Sequence, residues 1–299
     1  MTFDRLSYFA SENIPFLFYT DFKGDNIHVI PLNELEDAGI EFAINQPYHN
    51  RKYHKKLIKH PVSYKQYKKK FDHIIANIKD GNTYLLNLTQ PTEIETDLTL
   101  QNIFNRAEAP YKLHVKNHFV CFSPEPFVTI ENNTIYTFPM KGTIDAATQH
   151  AATQILSNEK EMAEHVMVVD LLRNDLGMVA SNIVVEKFRY IQKIHAGDKE
   201  LLQVSSKIKG TLPKEWKNNL GAIIKTLLPA GSITGTPKHS TVQIIEKVEG
   251  YPRGYYSGVF GVFDGTRLQS GVMIRFIEKE KEKFIYKSGG GITLDSNPQ

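Results

Sequence analysis

The sequence predicts an α/β protein of the α+β type, with large antiparallel sheets and helices packed beside them, and three observations carry that reading. Strand-like and helical runs alternate too irregularly for a doubly wound parallel sheet. Short turn signals such as Glu131-Asn132-Asn133 join neighbouring strand runs, which suits antiparallel pairing. No proline- or serine-rich hinge divides the 299 residues, so the chain reads as one domain over 1–299.

Composition narrows the class further. With 41% hydrophobic and 23% charged residues, the disordered and fibrous classes are excluded and a sizeable core is available. Cys121 is the sole cysteine, so neither an intrachain disulfide nor a thiolate metal site can form, and a reducing compartment fits. Met1 to Phe22 lacks a basic stretch followed by an apolar run, and no uncharged apolar segment approaches the ~20 residues of a membrane span; a cytoplasmic location is expected. Net charge is only +3, yet Arg51, Lys52, Lys55, Lys56, Lys59, Lys65, Lys68, Lys69 and Lys70 crowd the stretch 51–70. A nucleic-acid-binding protein is one reading of that patch, and it requires a continuous basic face with stacking aromatics. The other is a solvated helix face.

The elements follow in chain order. Ser63, with Gln66 three residues on, opens a helix whose apolar stripe is Tyr67, Phe71, Ile74, Ile75 and Ile78 and which closes near Gly81. Strands are predicted at Thr83 to Thr89, Phe119 to Phe122, Phe127 to Ile130 and Thr134 to Phe138. Asn158, with Glu161 three residues later, caps the strongest helix, Glu159 to Leu176, which stops at Gly177. Strands at Ile183 to Tyr190 and Gln203 to Lys209 come next, then a short helix over Trp216 to Leu227, a glycine-rich loop at Pro229 to Pro237 and a helix at His239 to Lys247. Strands near Tyr256 to Phe263, Leu268 to Ile277 and Phe284 to Ser288 complete the pattern.

Several groups of residues carry chemistry. Lys141, in Pro139-Met140-Lys141-Gly142-Thr143, ends an apolar strand; it is either a snorkelling side chain or a desolvated amine usable as a nucleophile or base. Glu161 and Glu164 neighbour each other on one helix face, and Glu164 shares the stripe of Met167, Val168 and Leu171, where a carboxylate needs a metal or a proton. Asp170 to Gly177 reads as structural ion pairing at a helix end. Pro229 to Lys238 has the wrong spacing for a phosphate loop, and Pro237 removes a donor, so it reads as a tight backbone approach to a small anion. From Arg253-Gly254 through Tyr256, Gly258 and Gly261 to Arg275, and on to Gly289-Gly290-Gly291, glycines and arginines offer either a carboxylate clamp or ordinary sheet turns.

Taken together, Phe122-Ser123-Pro124-Glu125, Pro139 to Thr143, Ala163 to Asp175, Gly231 to Lys238 and the triple glycine stand in the order seen in chorismate-utilising enzymes, which this chain resembles from about Ser63 to Gln299. Within that family it is most similar to the aminodeoxychorismate synthase component I branch, because the anthranilate synthase branch carries alanine where Lys141 stands. Anthranilate synthase component I and isochorismate or salicylate synthases are the sister readings.

The resemblance implies two large packed antiparallel sheets with helices outside. It implies amination of chorismate with ammonia from a separate glutamine amidotransferase subunit, through a covalent intermediate on Lys141, with Glu125 and Glu164 also in the catalytic set. Mg2+ is the implied cofactor, held by Glu164, with Glu161 the nearest further carboxylate. Arg275, Tyr256, Gly258, Ser232, Thr234, Gly289, Gly290 and Gly291 match substrate-holding positions. The part over 1–62 is short for the family. The chain stops before the family's acidic segment with its second metal glutamate and the helix after it, so weak binding of magnesium and chorismate is expected, along with a longer natural product.

Overall fold

A computed structural model describes residues 2–46, 57–196 and 199–298. Two antiparallel sheets dominate it, one of nine strands and one of eight. Across the larger sheet the strands run Met140–Asp145, Lys199–Thr211, Thr134–Thr137, Pro126–Glu131, Leu268–Val272, Val259–Phe263, Phe16–Thr20 and Ile27–Pro31, while Ser181–Ala196 also pairs with Lys199–Thr211. The smaller sheet runs Gly235–Thr236, Leu85–Thr96, Lys283–Ile292, Phe276–Glu280, Phe119–Ser123, Tyr111–Val115 and Ile40–Ile44, with Leu57–His60 beside Leu85–Thr96.

Side-chain alternation explains the layering. On the fully buried strand Phe16–Thr20, Phe16 and Phe18 face one core and Leu17 and Tyr19 the other. Leu17, Tyr19 and Phe260 meet Leu113, Phe119, Cys121 and Phe276 between the two sheets. Phe16, Phe18 and Phe263 pack instead with the helical residues Leu6, Leu220 and Ile224 on the outside of the larger sheet. The outer side of the smaller sheet is covered at Ile94, Val120 and Ile277 by Leu100 and Phe104, from the helix Leu100–Arg106. Sheets packed face to face with helices outside are what the sequence and the resemblance predicted.

The helix Tyr64–Lys79 forms as expected, with a capping box between Ser63 and Gln66 and with Phe71, Ile74 and Ile78 buried. Lys68 pairs with Asp72 on its outer side, and Lys70 reaches Gln90 and the Glu249 carbonyl. The second half of the basic stretch is therefore a helix face with partners of its own; Arg51, Lys52, Lys55 and Lys56 lie outside the described residues. Asn158 caps the helix Glu159–Gly177 by accepting from the Glu161 amide at 3.0 Å. That helix runs through Gly177, which the sequence reading had as its stop, to a cap at Met178.

Other boundaries differ for physical reasons. The hairpin expected as Ile183 to Tyr190 and Gln203 to Lys209 extends to Ser181–Ala196 and Lys199–Thr211, with register shifts that local pattern cannot show. Leu268 to Ile277 is two strands, one in each sheet, broken at Arg275, whose φ is +52°. The last strand continues through the three glycines to Ile292, because Leu86 to Gln90 pairs alongside them.

Candidate active site

The site forms where the two sheets exchange chain. Phe119–Ser123 belongs to the smaller sheet and Pro126–Glu131 to the larger, so Pro124 and Glu125 make the crossing. Backbone bonds fix it: the Glu125 amide donates to Ser123 Oγ at 3.1 Å, and the Glu125 carbonyl accepts from the Val272 amide at 3.0 Å. Ser232, on the glycine-rich loop, donates a short hydrogen bond to the Glu125 carboxyl. Burial raises the Glu125 pKa, and the Ser232 hydroxyl and the Lys141 charge pull against that shift.

Lys141 lies on the edge strand Met140–Asp145, where the register shifts between Met140 and Thr143 and Gly142 adopts φ +81°. Its Nζ lies 3.1 Å from the position a Cβ would take on Gly291, so the triple-glycine strand can approach the amine only because it lacks side chains there. Gly142 brings the same strand to the long helix: a Cβ on it would stand 3.2 Å from Glu161 Oε2. Lys141, Glu125, Ser232, Gly291 and Glu161 are thus brought together.

Glu164 is partly buried one turn further along that helix, next to fully buried His165. The sequence reading passed over His165, although its place on the Val168, Val169 and Leu172 stripe was a signal. Its Nε2 lies 2.7 Å from Ser206 Oγ, and burial, then the Arg189 and Lys141 charges, lowers its pKa to about 4. The ring is therefore neutral around pH 7.

Other expected substrate contacts are placed elsewhere. Thr234 is fully buried and donates to the Ala230 carbonyl at 2.7 Å. Tyr256 is packed among core residues against Phe276, its phenol pushed up chiefly by burial. Gly258 approaches the Thr20 carbonyl, where an added Cβ would lie 1.9 Å from the oxygen. Gly289 meets Asn87 and Thr89, while Gly290 has open space beside it. Arg275 lines a separate cavity of about 510 Å³ with Arg267, Tyr111, Tyr190 and Met140. The loop 229–237, expected to approach an anion, approaches its own chain: Gly235 sits against the Leu85 carbonyl and Gly231 against Asp175. Asp175 pairs with Lys238 at 2.8 Å, so the charged cluster at the helix end is structural, as expected.

The raised Glu125 pKa has a consequence for stability. A carboxyl whose folded pKa exceeds its unfolded value stabilises the fold below the unfolded value and loses that contribution as pH rises through the folded one. Glu125→Gln keeps an acceptor for Ser232 and removes the titration. Its melting temperature is therefore expected to gain on the wild type from about pH 4.5 upward. Parallel melting curves for the two proteins between pH 4 and 8 would contradict the shift.

A nucleophile-bearing lysine, a buried acid and a paired-carboxylate helix at the junction of two antiparallel sheets define an enzyme site for a small anionic substrate. The chain belongs to a known family: the family model described as chorismate binding enzyme matches residues 23–299. It is 48% identical over 300 residues to an uncharacterized PabA-like protein of Haemophilus influenzae, covering 99% of this chain and 92% of that one. It is 31% identical to aminodeoxychorismate synthase component 1 of Bacillus subtilis and 32% to anthranilate synthase component 1 of Acetivibrio thermocellus, covering in each case 74% of this chain and 47% of the relative. The fold matches a putative 2,3-dihydroxybenzoate-specific isochorismate synthase of Bacillus anthracis with TM-score 0.73 at 17% identity, covering 99% of this chain and 85% of that one. The protein is a chorismate-utilising enzyme, and no helix among the described residues is long and apolar enough to cross a membrane.

Proposed function

We propose that the chain is component I of an aminodeoxychorismate synthase, turning chorismate and ammonia into 4-amino-4-deoxychorismate for para-aminobenzoate and folate synthesis. The observation that carries this reading is Lys141, held against Gly291 and beside an acid, Glu125, whose pKa is raised. The neutral amine attacks the second ring carbon, the double bonds shift, and the bond from the fourth carbon to oxygen breaks. Glu125, protonated, is placed to give its proton to the departing hydroxyl, which leaves as water. Ammonia then attacks the fourth carbon, the double bonds shift back, the bond to Lys141 breaks, and the proton lost by ammonia restores the acid.

Glu161 and Glu164 supply hard oxygen donors three residues apart, and among the described residues neither has an ion-pair partner. No group of three or more His, Cys, Asp or Glu side chains is placed there to close around a metal. Such an open pair fits Mg2+, which binds through one or two carboxylates and keeps sites for water and substrate oxygens. Bound there, the ion would polarise a substrate carboxylate. Ammonia comes, in this reading, from a glutamine amidotransferase subunit, because the chain's one thiol, Cys121, is fully buried and pushed up to about 12.

Incubation with chorismate, Mg2+ and an ammonium salt, with product identification by mass, tests the proposal. 4-Amino-4-deoxychorismate supports it; anthranilate, isochorismate or salicylate as the product overturns it in favour of a sister activity. Glu164→Gln should shift the magnesium requirement upward by about tenfold or more, since an amide is a poor ligand for a hard cation. An unmoved magnesium titration would make Glu164 a structural residue.

A further inference from the structure

Arg253 received no role above beyond a general carboxylate clamp, yet its guanidinium touches both segments that shape the lysine site. It is 4% exposed, its charged head lies over the Phe22 ring, and each of its nitrogens donates within the protein. Nε and Nη2 donate to the two Glu249 oxygens at 2.9 and 2.7 Å. Nη1 donates to the Ile233 carbonyl at 2.9 Å, and Nη2 also to the Asn87 carbonyl at 2.7 Å. Ile233 directly follows Ser232, the partner of Glu125. Asn87 is the register partner of Gly291, the residue facing Lys141 Nζ. Glu249 is held in turn by the amide and hydroxyl of Thr89, both at 2.8 Å.

We propose that Arg253 is a positioning residue for the lysine site, its fork fixing the Ile233 and Asn87 carbonyls and thereby placing Ser232 against Glu125 and Gly291 against Lys141. A lysine in its place keeps the charge opposite Glu249 but presents a single ammonium, which cannot reach a carboxylate and two carbonyls in the same geometry. The catalytic half of this inference rests on the chorismate reading above; the structural half does not.

Two variants and two readouts separate positioning from general stability. Arg253→Lys removes the fork and keeps the ion pair, whereas Glu249→Gln removes the charge and keeps an acceptor for Arg253 and Thr89. Hydrogen exchange by mass spectrometry and steady-state kinetics on chorismate are measured well below each variant's melting temperature. For Arg253→Lys the expected result is faster exchange confined to 85–88 and 231–236, unchanged exchange at 16–20 and 259–263, and a kcat lowered about 10- to 100-fold with KM within about threefold. Glu249→Gln should leave kcat within about threefold. Arg253→Gln, which keeps a planar donor, replaces the lysine variant if the latter does not accumulate.

Unchanged loop exchange in the Arg253 variant overturns the proposal, and so does a kcat loss in Glu249→Gln equal to that in Arg253→Lys. If the wild type does not convert chorismate, the functional reading fails on its own, and the exchange data still decide whether Arg253 sets the loop.

Discussion

Lys141→Ala abolishes formation of 4-amino-4-deoxychorismate, an expected loss of roughly 10³-fold or more, while the melting temperature stays near that of the wild type. The side chain lies at a sheet edge, partly exposed and outside the hydrophobic clusters, so its removal takes away the attacking amine and little packing. Lys141→Arg is the sharper variant. It preserves positive charge for binding an anion, but guanidinium stays protonated and cannot attack carbon, so substrate binding should survive better than turnover. Product identification by mass under saturating chorismate, Mg2+ and ammonium checks both. The same product from Lys141→Ala at near the wild-type rate would remove the covalent route and leave direct attack by ammonia.

Gly258→Ala should be the most damaging single methyl in the molecule's interior. The added Cβ would stand 1.9 Å from the Thr20 carbonyl oxygen and 2.9 Å from the Asp21 carbonyl carbon. Neither side can yield cheaply: Gly258 bonds Tyr255 and Met273 through its own backbone, and Thr20 is paired with Val259 next to it. We expect a cost of about 3 kcal/mol, or about 6–12 °C in melting temperature. The measurement also decides what Gly258 is for. An undisturbed melting temperature with a raised KM for chorismate would place substrate against this glycine; a large thermal loss with KM unchanged places Thr20 there.

Much of this protein was legible from its residues because local and tertiary preferences agree. Ser63 with Gln66, and Asn158 with Glu161, are capping signals that act within one turn, and the helices they open are where the sequence reads them. Lys141, Glu125, Ser232, Glu161 and Gly291 were all singled out as site residues, and the fold brings them to one junction. What stayed hidden depends on distant partners. Phe16–Thr20 has no helical or turn signal of its own rank, and its burial on both faces comes from strands about 240 residues away. Gly258, Gly235 and Tyr256 attract notice as ligand-binding types, whereas backbone crossings and aromatic packing use the same residues. Arg253 could be noted but not placed, since its acceptors at Asn87, Ile233 and Glu249 are brought together only by the finished sheet.

The seat of Phe16–Thr20 has a consequence for how the protein is made. The strand leaves the ribosome early, followed directly by its hairpin partner Ile27–Pro31, but its other neighbour is Val259–Phe263. At 5–20 residues per second, translation from Phe16 to Phe263 takes roughly 12–50 s. Throughout that interval a two-stranded ribbon with apolar side chains on both faces has one edge unpaired, which invites pairing with other nascent chains. Yield in a heterologous host should therefore respond to slower synthesis, lower temperature and chaperone supply far more than to the thermal stability of the finished enzyme.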